Sequence, residues 1–359
     1  MKRLLNCDVL RILAFCLVIS VHFLMYNNFY STETLGKTML LVNILRCLFI
    51  ICVPIFLILS GYLMNQKKFN KEYCKKISKI LLTYFLCSIV CSVSISIVFG
   101  NNIPSIKNCL FQVIDFVGAP YAWYVNMYIG LYFFIPFLNT LWNNLEKENK
   151  KWLIIILFIF VISPTILNLR WNIIPNYWCG IAFPILYYFV GCYLKEFPIK
   201  ISIYKNILIL ILLIVLFGLF NYIKCYNNVF EIGIYSENFS FEAFFVSLFF
   251  ANLIFNLKIE IKSKKLSKFI IKLSNLTFAS YLLSAIFDNL FYSKIMPHLA
   301  TTFHERLAYM IPFVLTIIIC SFLCAYIIDL LEKLLKKITN WIITIIKKLK
   351  EKLKKMCIN

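Results

Sequence analysis

Ten stretches of this chain are each apolar enough, over a window of about 19 residues, to cross a lipid bilayer. They fall at about residues 9–27, 41–64, 78–99, 121–142, 152–169, 178–195, 206–224, 239–257, 270–293 and 308–328 of 359. Lipid offers no hydrogen bonds to a backbone, so each stretch must satisfy its own amides and fold as a helix. The expected architecture is therefore all-α: a polytopic transmembrane bundle of about ten spans over residues 1–328, followed by a tail over 329–359. A composition of 62% hydrophobic residues excludes a soluble exterior, which must be largely polar. The first span is too long, and too charged at its start, to read as a cleaved signal peptide.

The loops carry the charge. With the N-terminus in the cytoplasm, inner segments hold 29 of the 37 Lys and Arg residues, outer segments and outer span ends hold 7, and Arg11 lies inside a span. This asymmetry recurs in every loop pair and predicts cytoplasmic termini at both ends. It also accounts for a net charge of +21 without nucleic acid. Lysine, asparagine and isoleucine richness fits an AT-rich, bacterial source. The 14 cysteines are scattered through apolar runs with no CxxC pair and no Cys/His cluster of zinc spacing, so they read as small core side chains, and no metal site is expected. Only 9 glycines are present, which argues against a bundle built on close glycine crossings. In the tail, Leu331, Leu334, Leu335, Ile338, Ile342, Ile345, Ile346 and Leu349 recur at helical spacing among lysines. That pattern reads as an amphipathic helix on the anionic inner leaflet.

Two residues of the first span do not belong in lipid. Arg11 and His22 are eleven apart, which returns a helix to within about 20° of the same face and separates them by roughly 16 Å along the axis. Ionisable groups at such depth face the bundle interior and mark function by default. The plainer reading of Arg11 is an interfacial arginine paired with Asp8, and of His22 a hydrogen-bonded structural histidine. In the second span, Arg46 enters from the outer side at a depth similar to His22. Pro54 bends the helix, and Ser60 and Gly61 allow close approach near the inner end.

The order "DVLRILAFCLVISVHF" then "VPIFLILSGYLM" resembles the opening of the acyltransferase family 3 membrane proteins. Their first helix carries an Arg, ten residues, then a His; Pro54, Phe56, Ser60 and Gly61 match the helix that follows. "YAWYVNMYIGLYFFIPFL", "PILYYFVGCYLK" and "LSNLTFASYLLS" resemble later helices of the family. The last often ends in His, where this chain has Ser284, so no second family histidine is available. The resemblance covers about residues 1–330. It implies transfer of an acyl group, usually acetyl, from coenzyme A to a hydroxyl of an extracytoplasmic glycan or its lipid-linked precursor. Acetyl-CoA would then be a donor substrate, with no permanently bound cofactor.

Within that reading Arg11, Ser60 and Gly61 contact the donor, and Arg suits its phosphates. His22 serves as general base or transient acyl carrier, and Arg46 stabilises the oxyanion. Trp123, Tyr124 and Tyr128 stack on a sugar, unless they form an interfacial aromatic belt. Asp288 orients a histidine or binds the acceptor, unless it makes only a helix-end polar contact near Asn289. His298, His304, Glu305 and Arg306 share an outer loop that is either an acceptor rim or simply solvated. The competing reading is a transporter of lipid-linked glycan without chemistry. Transporters tend to show internal repeats and paired broken helices, and neither is evident. A membrane scaffold with a basic tail would not require the Arg11–His22 spacing.

Overall fold

The computed structural model describes residues 4–231, 237–257 and 259–356, with the side chains of 343 and 347–356 outside the description. In chain order the helices are α1 (Leu5–Tyr26), α2 (Gly36–Phe49), α3 (Cys52–Met64), α4 (Lys71–Phe99), α5 (Ile106–Ile114), α6 (Ala122–Asn143), α7 (Lys147–Val161) and α8 (Pro164–Leu167). They continue with α9 (Cys179–Glu196), α10 (Ile203–Lys224), α11 (Phe241–Asn256), α12 (Lys264–Asp288), α13 (Met296–Leu299), α14 (Phe303–Arg306) and α15 (Met310–Met356). Each of the ten expected spans falls on helix. Among the described residues, eight segments are long and apolar enough to cross a membrane. The other two expected spans are the 18-residue α9 and the 16-residue α11. The protein is a polytopic helical membrane protein.

Local chemistry sets the ends of these helices. Asn70 caps α4 by accepting from the Tyr73 amide, and Gly100 closes it at φ 70 in the left-handed region that favours glycine. Pro54 has no amide to give to the carbonyl one turn back, and the chain breaks at Ile50–Ile51 between α2 and α3. After Asp288 the backbone passes into a π-helical segment, Asn289–Ile295, before α13. Such segments recur at functional sites because they widen the helix and re-aim its side chains.

α1 is the central element, packed by α2, α3, α11, α12 and α15. Its buried face carries Leu10, Phe15, Val18, Ile19 and Phe23, and Asn6 ties its start to the α11 end by donating to the Ile254 carbonyl at 3.0 Å. Close glycine crossings do exist, contrary to the expectation from glycine scarcity. A Cβ on Gly61 would lie 1.9 Å from the Tyr188 carbonyl oxygen, and one on Gly191 would lie 2.0 Å from that of Ile58. The two glycines are reciprocal, so α3 and α9 touch backbone to backbone. Gly218 does the same for α10, where a Cβ would meet the Ile44 Cα at 2.5 Å. Three glycines, Gly61, Gly191 and Gly218, are enough to make these close approaches.

α15 runs for 47 residues without interruption. The expected start of the tail falls inside it with no break in the helix. Leu331, Leu334, Leu335, Ile338 and Ile342 lie exposed along it.

Candidate active site

A cavity of about 400 Å³ opens between α1, α3, α4, α6, α12 and α15. On α1 it is lined by Arg11 and, two turns on, by Val18. His22 is the next position on the same stripe, one turn past Val18. At the Arg11 end the wall includes Lys79, Asp329 and Glu332; at the other end it includes Val53, Phe56, Tyr124 and Tyr281. The Arg11 part of the stripe inferred from spacing thus lines the cavity, and His22 lies one turn past Val18 and is not among the lining residues.

His22 is buried and held by Asp288. Its Nδ1 lies 2.9 Å from Asp288 Oδ2, and the Asp288 carboxyl group is fully buried. Tyr121 donates its hydroxyl to the same carboxylate oxygen at 2.6 Å. The Tyr121 ring also lies against the His22 ring, with centroids 4.1 Å apart. A carboxylate at Nδ1 fixes the proton there and leaves Nε2 as the basic nitrogen. Tyr26, one turn above His22, shares a hydroxyl–hydroxyl contact of 3.2 Å with Tyr121. The dyad unites residues 266 apart in sequence. Ser284 is buried one turn before Asp288 and donates to the Tyr281 carbonyl at 2.8 Å. Tyr121 is not among the residues that the sequence singles out, because nothing in its local pattern ties it to Asp288, 167 residues away.

Arg11 donates to Ser274 Oγ at 2.9 Å and stands 3.8 Å from Asp8. Its side chain keeps 28% exposure, enough to face a ligand in the cavity. Ser60 also lines the cavity, with its hydroxyl donated to the Phe56 carbonyl at 2.8 Å. Gly61 belongs instead to the α3–α9 crossing. Arg11 and Lys79 are matched in the cavity wall by Asp329 and Glu332, and Glu332 accepts a hydrogen bond from Thr83.

Arg46 is gathered into a different cluster. It donates to Glu242 Oε1 at 2.9 Å and to the Tyr30 hydroxyl at 3.0 Å, and it lies over the Phe230 ring at 4.4 Å. Asn221 and Cys47 hold the other oxygen of Glu242. Arg46 and Glu242 are both nearly inaccessible. Glu242, a lone carboxylate at the start of an apolar run, was a readable sign of a buried partner.

The three expected sugar-stacking aromatics separate. Tyr124 and Tyr128 line the cavity that holds Arg11, stacked with centroids 5.9 Å apart. Trp123 is 45% exposed on the other side of the same helix. Successive residues on a helix point about 100° apart, so one triad of neighbours cannot share a face. In the outer loop, Glu305 and Thr302 form a reciprocal capping box for α14, and Arg306 donates to the Ala300 carbonyl at 3.2 Å. His298 and His304 are exposed.

No curated protein and no solved structure matches the chain. A family model described as an acyltransferase domain matches residues 4–345, nearly the whole chain.

Proposed function

The chain belongs to acyltransferase family 3, and on that premise we propose that it moves an acetyl group from cytoplasmic acetyl-CoA to a hydroxyl of an extracytoplasmic or lipid-linked polysaccharide. It works in the cell membrane with both termini in the cytoplasm, the orientation favoured by the lysine-rich inner loops. The observation that carries this reading is the α1 stripe. Arg11 and Val18 line one cavity, and the His22–Asp288 dyad stands one turn past its end.

In this reading the pantetheine arm of the donor enters at Arg11 and runs along α1. The wall at that end balances two basic against two acidic residues, so it suits the amide-rich arm, and the polyphosphate rests on lysines outside the cavity. The acceptor hydroxyl gives its proton to His22 Nε2 as its oxygen attacks the thioester carbon. The tetrahedral intermediate collapses, the C–S bond breaks, and the thiolate takes the proton from His22. Asp288 keeps the imidazole in the right tautomer throughout, and Tyr121 holds Asp288. General base is favoured over acyl carrier, because the Asp288 carboxylate at Nδ1 holds the imidazole in the tautomer whose Nε2 accepts a proton. Arg46, engaged by Glu242 and Tyr30, fixes α2 against α11 rather than meeting the oxyanion.

His22→Ala in intact cells tests the assignment. The expected result is loss of surface-glycan acetylation by mass spectrometry, with glycan export and protein level unchanged. Normal acetylation in that variant overturns the mechanism, and lost export supports a transporter.

A further inference from the structure

The cavity stops short of His22, and what stops it is aromatic. Tyr281 and Tyr124 form its end wall, edge to face with centroids 5.8 Å apart. Tyr281 donates its hydroxyl to the Tyr121 backbone carbonyl at 2.9 Å, and the Tyr121 ring in turn covers His22. All three tyrosines are buried. The side walls at this level are Val18 and Val53, β-branched and confined in χ1, with Phe56 and Ala279 beside them.

A thioester lying along the α1 stripe therefore meets the Tyr281 ring before it meets the imidazole. Turning Tyr281 aside breaks one hydrogen bond and opens about one ring's worth of space between rigid neighbours. We infer that Tyr281, backed by Tyr124, sets the acyl length this protein accepts: a short acyl group passes to His22, and a longer chain has no volume to enter. The inference rests on the donor reading above and adds the residues that read the acyl chain. Close-packed walls reject surplus methylenes sharply, each worth about 10–200-fold in selectivity.

The test uses the purified full-length protein in detergent, with thermal stabilisation measured against CoA, acetyl-CoA, butyryl-CoA and octanoyl-CoA. The wild-type protein is expected to respond to CoA and acetyl-CoA, and to need at least tenfold more octanoyl-CoA for the same shift. Tyr281→Ala is expected to bring octanoyl-CoA to within about twofold of acetyl-CoA, while Tyr281→Phe, which keeps the ring and loses only the latch, retains the preference. Equal response of the wild-type protein to all acyl lengths overturns the inference without recourse to any variant. So does a preference that survives intact in Tyr281→Ala. Absence of response to CoA and to every thioester overturns the donor reading itself, and this inference with it.

Discussion

At the scale of single residues, buried polar groups are legible in their chemistry but not in their pairing. Arg11 and His22 announce a shared face by spacing alone, because helical period is a local property. Asp288 stands out as an acid in an apolar run, yet only the fold brings it to His22. Asp288→Asn preserves shape and removes the acceptor that fixes the Nδ1 proton. We expect it to leave thermal stability within about 1 kcal/mol while cutting glycan acetylation at least tenfold, toward the full 10²–10⁴-fold contribution of a general base. Tyr121→Phe keeps the ring on His22 and deletes the hydroxyl on Asp288; a smaller activity loss is expected, with a displaced pH–rate profile as the mark of altered positioning. The Arg46–Glu242 pair predicts the opposite pattern. Glu242→Ala strands a buried guanidinium and should cost about 3–5 kcal/mol in unfolding measurements. The double variant Arg46→Leu, Glu242→Leu, which removes both charges, should recover much of it. Equal losses from single and double variants would show that the pair matters for packing rather than charge.

At the scale of elements, hydropathy located the long helices, because lipid forces each apolar run into the same backbone solution, whereas the short α5, α13 and α14 lie between the expected spans. What it left open was how closely helices approach. The sparse glycines suggested loose crossings, but a count says nothing about position, and Gly61 and Gly191 face one another. Gly61→Ala and Gly191→Ala should each destabilise the detergent-solubilised protein by about 1–3 kcal/mol, since a backbone carbonyl occupies the space the methyl needs. Gly130→Ala, where a Cβ meets open space, serves as the control and should change little. Thermal unfolding of the three side by side checks this. The same argument explains why Gly61, grouped by sequence motif with Ser60, parts from it in space. Ser60 faces the cavity, and its neighbour faces α9.

At the scale of the whole molecule, the proposed reaction needs a defined direction through the membrane. With both termini in the cytoplasm, as proposed from the loop charges, alkaline phosphatase fused after residue 359 should be inactive, whereas a fusion after Lys107 should be active. Activity at the C-terminal fusion would reverse the orientation and place the Arg11 end of the cavity outside, away from any cytoplasmic thioester. One further consequence follows from α15. Its residues Ala325, Ile328, Asp329 and Glu332 line the cavity, and the helix then continues to Met356 with neither Gly nor Pro after Pro312. A rod of 47 residues spans about 70 Å, more than twice the hydrocarbon core. One helix therefore supplies a wall of the cavity and also reaches well beyond the length that the hydrocarbon core can hold.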